Sequence, residues 1–215
     1  MSISGLYAIT DHRLISEDKW QASIRACLEG GVRIIQYRDK SDDHQRRYYQ
    51  AKIVTELCQQ YSALSIINDD VELAAKVGAS GVHLGQQDGS IVKARQRLGN
   101  QAIIGATCHS QVSLAWEAKN QGASYIAFGR FFPSKTKPEA PLATMDILSQ
   151  AKEVALPIVA IGGINSDNMS ALKSSTPDSS LPSAIAVVDA IFGQSDVFLA
   201  TQRLVAQWHS LTLED

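Results

Sequence analysis

The chain has 215 residues and a formal net charge of −2, with 45% hydrophobic and 20% charged residues. This balance lacks the basic excess that attracts nucleic acid or an anionic membrane, and no apolar run reaches the roughly 18 residues of a transmembrane helix. The first residues lack the basic and apolar regions of a secretory signal, and the three scattered cysteines form no Cys-x-x-Cys pair. We therefore expect a cytoplasmic protein that binds neither nucleic acid nor membrane, while a homo-oligomer stays open.

Eight short apolar runs are predicted to be β-strands, and they alternate with eight longer amphipathic stretches. The predicted strands are Leu6–Thr10, Val32–Tyr37, Leu64–Asn68, Gly81–Leu84, Ala102–Thr107, Tyr125–Gly129, Ile158–Gly162 and Ala184–Val188. The predicted helices lie near 17–29, 42–61, 70–78, 90–98, 110–121, 142–154, 166–175 and 195–210. Since the strands are nearly continuous in Val, Ile, Leu and Ala, as strands buried on both faces are, the alternation indicates βαβ units and a parallel sheet.

Eight such units in 215 residues favour an α/β fold of the single-domain (β/α)8 TIM-barrel type, with residues 1–215 forming one domain. A doubly wound open sheet is the structural alternative. In a barrel, reactive side chains follow the carboxyl ends of the strands. Polar residues at those positions are therefore the candidates for a functional site.

The first candidate is an anion-binding segment after the second strand, in the sequence "QYRDK". Gln36, Arg38 and Lys40 alternate along extended backbone, so their side chains point to one side. An amide, a guanidinium fork and an ammonium on one face suit a phosphate or diphosphate. A salt-bridged rim is the structural alternative.

The second candidate is a pair of carboxylates on neighbouring strand ends. Asp69 follows the third strand and Asp88 the fourth. Two uncompensated carboxylates would repel each other, and a hard divalent cation such as Mg²⁺, bound together with substrate phosphates, resolves this. Either aspartate could instead cap a helix, but Asp70, directly before "VELAAKV", suits that role better.

Other candidates follow the later strands. Gly162 and Gly163 would let backbone N–H groups approach an anion, although a Gly-Gly pair is also a common turn. His109 lies just past the fifth strand and is a secondary candidate for acid–base chemistry, whereas His83 lies within a strand and is interpreted as a hydrogen-bonded core residue. The loop after the sixth strand gathers polar side chains in one place: Ser134, Lys135, Thr136 and Lys137.

Seven motifs together resemble the thiamine phosphate synthase family along nearly the whole chain. They are "GLYAITD", "IIQYRDK", "INDDVELAAKVGASGVHLGQQD", "IIGATCHS", "YIAFGRFFPSKTK", "VAIGGI" and "AIAVVDAIFG". All occur in the order and spacing of that family, and the combination of "QYRDK", "INDD" and "GVHLGQQD" is specific where each alone is weak. The resemblance implies a transferase of thiamine biosynthesis with a (β/α)8 barrel. Its substrates would be 4-amino-5-hydroxymethyl-2-methylpyrimidine diphosphate and 4-methyl-5-(2-phosphoethyl)thiazole, or the carboxylated form of the latter.

The resemblance also assigns roles to individual residues. Substrate contacts on the pyrimidine diphosphate side would come from Gln36, Arg38, Lys40, Asn68, Thr107 and Lys137, and Tyr37 and Asp39 would also bind substrate. Contacts to the thiazole phosphate would come from Ser134, Lys135, Thr136, Gly163, Val188 and Asp189. Asp69 and Asp88 would bind Mg²⁺. Arg38, Lys40 and Lys137 would be catalytic, because they stabilise the charge of the departing diphosphate.

This chain departs from the family pattern at two places. Thr107-Cys108 stands where the family usually has Ser-Thr, and Asp189 stands where it usually has Ser. A carboxylate at position 189 would repel a phosphate unless it caps a helix or pairs with a base. Two rival functions remain at this stage: a related thiazole tautomerase, which needs no diphosphate or metal ligands, and a non-catalytic barrel that binds thiazole phosphate.

Overall fold

The computed structural model describes residues 2–134, 141–176 and 181–213. Eight parallel strands close into a barrel in which each strand pairs with the next along the chain and the last pairs with the first. The strands are β1 Gly5–Ile9, β2 Ile34–Tyr37, β3 Leu64–Asn68, β4 Gly81–Leu84, β5 Ile103–His109, β6 Tyr125–Phe128, β7 Ile158–Ile161 and β8 Ala184–Val187. The predicted TIM-barrel fold is therefore confirmed, and the open doubly wound sheet is wrong.

Helices follow the strands around the outside of the barrel. They are α1 Trp20–Glu29, α2 His44–Gln60, α3 Val71–Val77, α4 Ile91–Leu98, α5 Val112–Asn120, α6 Ile147–Gln150, α7 Ala171–Ser174, α8 Asp189–Phe192 and α9 Val197–Leu213. Single 3-10 turns lie at Glu17–Lys19 and Ala151–Val154. No helix in the described ranges is long and apolar enough to cross a bilayer.

The helix predictions are accurate in the first five units, too long in the sixth and seventh, and incomplete in the eighth. The predicted helix 142–154 is one α-helical turn, α6, followed by the 3-10 turn. The predicted helix 166–175 contains only the four residues of α7. The eighth unit has two helices, because the short α8 precedes the long α9.

Alternation along the strands separates two hydrophobic cores. Side chains such as Tyr7, Ile34 and Tyr125 point inward and fill the barrel. Their neighbours in sequence, such as Ala8 and Ile35, point outward and pack under the helices. Because the period of side-chain direction is two, the strand sequence determines which residues can reach the interior of the barrel and its mouth.

Candidate active site

At the carboxyl ends of the strands the barrel opens into a cavity of about 620 Å³. Most of the predicted site residues in the described ranges line it: Gln36, Arg38, Lys40, Asn68, Asp69, Asp88, Thr107, Ser134, Gly163, Val188 and Asp189. The predicted roles of Lys135, Thr136 and Lys137 concern residues that lie outside the described part of the chain. Polar residues from separate strand ends are thus brought to one place, as the barrel architecture requires.

The end of β2 and the segment after it carry the amide and the two cations on one side. Gln36, Arg38 and Lys40 all line the cavity, as their alternation along extended backbone predicts. Gln36 is buried, the side chain of Arg38 is 16% exposed, and that of Lys40 is 52% exposed. The segment therefore runs from the barrel interior to the rim, with its positive charge concentrated toward the mouth.

The structure does not bring the side chains of Tyr37 and Asp39 to the cavity, which corrects their predicted substrate contacts. Tyr37 belongs to the outer core, where its ring packs edge-on against Trp20 and its hydroxyl donates to Gln50 Oε1 at 3.3 Å. The Asp39 side chain is fully buried and accepts bonds from the Ser41 backbone N–H and from Arg46. The alternation that turns Gln36, Arg38 and Lys40 inward turns these two residues outward.

The Asp39→Asn variant is expected to lose stability in a pH-dependent way. Burial raises the pKa of Asp39, but hydrogen bonds from Ser41 and Arg46 outweigh it and hold the pKa below its ordinary value. The unfolded chain therefore binds a proton first as the pH falls, so the stabilisation that Asp39 provides is present above about pH 4 and is lost below it. Denaturant unfolding should show a deficit of about 1–3 kcal/mol for the variant at neutral pH. That deficit should shrink toward about pH 3, and one that stays constant with pH would contradict the assignment.

Arg38 is held by the end of β1. Its backbone N–H donates to Thr10 Oγ1 at 2.9 Å, and its guanidinium Nη1 lies 4.0 Å from Asp11 Oδ2. Asp11 is buried and accepts two further bonds from the Arg13 side chain, at 2.9 and 2.6 Å. Burial raises the pKa of Asp11, but the bonds from Arg13 and the charge of Arg38 outweigh it, so the net pKa lies below its ordinary value. The Asp11 carboxylate is therefore ionised at neutral pH and lies next to the Arg38 guanidinium.

Asp69 occupies a backbone conformation that few side chains accept. Its φ is +63°, in the left-handed region where Asp and Asn are the tolerated residues besides Gly. Its N–H donates to the carbonyl oxygen of His83 at 2.8 Å, which ties β3 to β4 at this point. The carboxylate accepts bonds from Lys40 Nζ and from Asn68 Nδ2. Backbone strain is therefore present at the residue that turns this carboxylate toward the cavity.

Asp88 lies beside Asp69 at the mouth of the barrel. Partial desolvation raises the pKa of the Asp88 carboxyl above its ordinary value, and the negative charge of Asp69 together with a hydrogen bond to it raises this pKa further. The Asp88 carboxylate can take this position because residue 85 is a glycine. A Cβ at Gly85 would lie 2.3 Å from Asp88 Oδ2 and would clash with it. Asp70, by contrast, caps α3 by accepting from the Leu73 N–H at 2.9 Å, as predicted.

The donor set of Asp69 and Asp88 fits a magnesium ion. Two carboxylates in contact carry an electrostatic penalty that a divalent cation would remove, and Mg²⁺ takes one or two protein carboxylates with substrate oxygens and water. Within the described ranges, no group of three His, Cys, Asp or Glu residues is placed to hold a metal ion by itself. Such a pair would hold the cation together with the oxygens of a phosphorylated ligand.

Gly162 and Gly163 contribute close backbone packing to the cavity wall. Their φ values are +105° and +66°, and a Cβ would lie 2.2 Å from Arg130 Cβ at the first and 2.2 Å from the Pro133 carbonyl oxygen at the second. The N–H of Phe132 donates to the Gly162 carbonyl oxygen at 3.0 Å. Glycine is thus required here because the loop after β6 lies directly on the end of β7.

Asp189 is the first residue of α8, where a negative charge interacts favourably with the helix dipole, and it lines the cavity. Its Oδ1 lies close to Gly193, where a Cβ would approach it to 2.7 Å.

Comparison with known proteins agrees with the geometry. A family model described as thiamine monophosphate synthase matches residues 6–191. The chain belongs to this family. A relative named thiamine-phosphate synthase from Marinobacter nauticus is 51% identical over 189 residues, which are 88% of this chain and 83% of the relative.

Solved structures of similar fold extend the comparison. A thiamine phosphate pyrophosphorylase from Pyrococcus furiosus superimposes with a TM-score of 0.84 at 34% identity, over 98% of both chains. KGPDC from Streptococcus mutans has a TM-score of 0.66 at 10% identity, over 97% of this chain and 99% of its own. The second likeness concerns the fold alone.

For this member of the thiamine monophosphate synthase family, sequence reasoning missed several cavity residues. Tyr7, Tyr125 and His83 point into the barrel below the mouth, and Arg130 and Arg203 lie on its wall. The alternation of β1, β4 and β6 could have indicated the first three as inward-facing. Arg203 lies in the long helix α9. The expectation that functional residues follow the carboxyl ends of barrel strands does not point to a residue in a helix.

Proposed function

We propose that this protein is a thiamine phosphate synthase. It would join the pyrimidine diphosphate to 4-methyl-5-(2-phosphoethyl)thiazole and release thiamine phosphate and diphosphate; with the carboxylated thiazole, CO2 would be lost as well. The proposal is supported by membership in the family and by one observation above all. Arg38 and Lys40 line the same cavity as the carboxylate pair Asp69 and Asp88. The two cations suit a diphosphate, and the two carboxylates suit the divalent cation that would accompany it.

The reaction needs charge stabilisation more than proton transfer. The bond between the pyrimidine methylene carbon and the diphosphate oxygen breaks, and its electron pair leaves with the diphosphate. The aminopyrimidine ring stabilises the cation that develops on the methylene carbon. The thiazole nitrogen then forms the new C–N bond with its lone pair. No protein base has to remove a proton for this step, so His109 is not required as one.

The protein's part is to orient the two rings and to stabilise the departing charge. Arg38 offers two parallel N–H donors to phosphate oxygens, and Lys40 offers a mobile ammonium at the rim. Lys40 also contacts Asp69, so it can move between the carboxylate and an incoming diphosphate. Mg²⁺ bound by Asp69 and Asp88 would neutralise the diphosphate and make it a better leaving group.

The deciding experiment supplies the purified protein with both substrates and Mg²⁺ and follows product by chromatography and mass spectrometry. We expect thiamine phosphate and diphosphate in equal amounts. Absence of product while thiazole phosphate still binds would support a non-catalytic binding barrel instead. Isomerisation of the thiazole without coupling would support the tautomerase.

The Asp88→Asn variant tests the metal site without relying on turnover. We expect it to raise the melting temperature of the metal-free protein, because it removes the repulsion between Asp88 and Asp69. Added Mg²⁺ with inorganic diphosphate should stabilise the wild type by mass action and the variant much less. Asp167→Asn is the matched control, because Asp167 is another carboxylate of the same cavity. An equal rise in melting temperature on adding Mg²⁺ with diphosphate to Asp88→Asn and to the wild type would show that Asp88 does not bind the metal.

We further propose that the reaction takes place in the cytoplasm. The three cysteines are all buried and unpaired, which suits a reducing compartment. Fractionation of cells that express the tagged protein would test this location.

A further inference from the structure

Helix α9 presents a cation to the cavity. Ala200, Arg203 and Leu204 line the cavity, and with Gln207 they have the spacing i, i+3, i+4 and i+7, which places side chains on one face of a helix. Gln207 Nε2 donates to the carbonyl oxygen of Ser166 at 2.7 Å. This face of α9 therefore lies against the loop after β7, and it brings Arg203 to that side of the cavity.

Close packing fixes the position of α9. Its residues Thr201, Leu204 and Trp208 are buried, and a Cβ at Gly30, at the end of α1, would lie 2.6 Å from Thr201 Cβ. The buried face thus holds the backbone of the helix in place. The side chain of Arg203, by contrast, is exposed and makes no hydrogen bond or ion pair with another described residue. Its guanidinium therefore keeps its donors available for a ligand.

Negative charge predominates on this side of the cavity. Of the described cavity residues that follow β7 and β8 in the chain, Asp167 and Asp189 are carboxylates and Arg203 is the one cation. Helix α8, which begins at Asp189, packs against α9. An anionic ligand on this side would consequently depend on Arg203 for an attractive side-chain charge.

Two backbone donors lie on the same side. Gly163 and Ile164 line the cavity, and their N–H groups make no hydrogen bond with another described residue. The turn that presents them is fixed, because Asn168 Nδ2 donates to the Gly163 carbonyl oxygen at 2.9 Å. Since backbone N–H groups in a folded protein nearly always have an acceptor, a bound anion would supply the missing one.

We propose that Arg203 binds the phosphate of the thiazole substrate and selects the phosphorylated thiazole over its parent alcohol. This inference rests on the proposed function. Barrels often bind phosphate with the loops after strands seven and eight, which is the side of the cavity that Arg203 faces. A guanidinium donates two parallel N–H bonds to phosphate oxygens, and the N–H groups of Gly163 and Ile164 would bind the remaining oxygens.

The proposed contact affects binding rather than the chemical step. The phosphate is attached to the ethyl side chain of the thiazole, whereas the reaction joins the ring nitrogen to the pyrimidine methylene carbon. Arg203 would therefore bind the ground state and the transition state equally. Removing such an interaction raises KM and leaves kcat nearly unchanged. The variant differs in this respect from Arg38→Ala, which acts on the pyrimidine diphosphate.

The test measures steady-state kinetics of the wild type, Arg203→Ala and Arg203→Lys. We expect Arg203→Ala to raise the KM for the thiazole phosphate about 10- to 100-fold. Both kcat and the KM for the pyrimidine diphosphate should stay within about twofold. Arg203→Lys should recover part of the loss, because lysine keeps the charge but lacks the fork of donors. Lys93→Ala is the charge-matched control, since Lys93 is exposed on α4 and does not line the cavity.

Calorimetry with the thiazole phosphate and with the parent alcohol tests the selection without turnover. Arg203→Ala should lose affinity for the phosphate and keep the affinity of the wild type for the alcohol. An unchanged KM in Arg203→Ala, an equal loss of affinity for both ligands, or an equal rise in KM in Lys93→Ala would each overturn the inference. If the wild type forms no product from the two substrates, the proposed function fails, while these affinities still decide whether Arg203 binds the phosphate.

Discussion

Replacing Asp69 with asparagine is expected to lower kcat/KM by a factor on the order of 10²–10³. The melting temperature should stay nearly constant, because the lost contact with Lys40 offsets the relieved repulsion with Asp88. Asparagine tolerates the φ of +63° as aspartate does, and its N–H can still donate to the His83 carbonyl oxygen. What disappears is the negative charge that contacts Lys40 and faces Asp88. The variant therefore separates the chemistry of the carboxylate from the strain of its backbone.

Asp69→Ala is the informative companion, because alanine does not favour the left-handed region. We expect it to lose activity like the asparagine variant and also about 1–2 kcal/mol of stability. The difference between the two variants in denaturant unfolding would measure the strain at this position. Full turnover of Asp69→Asn at saturating Mg²⁺ would show that the carboxylate takes no part in the reaction.

The fold was predictable because its signals are local and repeated. A short apolar run followed by an amphipathic stretch predicts each βα unit. Eight such units in succession favour a (β/α)8 barrel over other α/β folds. The same period-two alternation placed Gln36, Arg38 and Lys40 on one face correctly. Applied consistently, it would also have turned Tyr37 and Asp39 outward, and only the resemblance of the motif suggested substrate contacts for them.

The short helices and the barrel floor were harder to predict for physical reasons. The segments around α6 and α7 carry helical periodicity, but only four residues of each are α-helical. The bond between Tyr7 and Tyr125 joins residues 118 positions apart. It depends on barrel closure and on the space at Gly105, which no window of sequence contains. His83 was interpreted as a hydrogen-bonded core residue, and the structure confirms this while also placing it at the cavity.

Arg38→Ala is expected to cost a factor on the order of 10²–10³ in kcat/KM, mainly through the pyrimidine diphosphate. Arg38 lines the cavity, and its position is fixed by Thr10 and by the buried charge of Asp11. Its fork of donors suits phosphate oxygens, which a lysine ammonium does not match, so Arg38→Lys should recover only part of the loss. The KM for the thiazole phosphate should change little, because the diphosphate is bound at the opposite side of the reacting bond.

Arg13→Ala gives the matched control for this prediction. Arg13 binds the same carboxylate, Asp11, through two hydrogen bonds, but its side chain is 59% exposed and does not line the cavity. If Arg38 acts on the diphosphate, Arg13→Ala should leave kcat/KM within a few-fold of the wild type, since Arg13 lies outside the cavity and the charge of Arg38 still faces Asp11. A loss in Arg13→Ala as large as that in Arg38→Ala would instead indicate that both arginines act by holding Asp11. The position of the Asp11 carboxylate would then determine the rate, and Arg38 would act only by helping to hold that carboxylate.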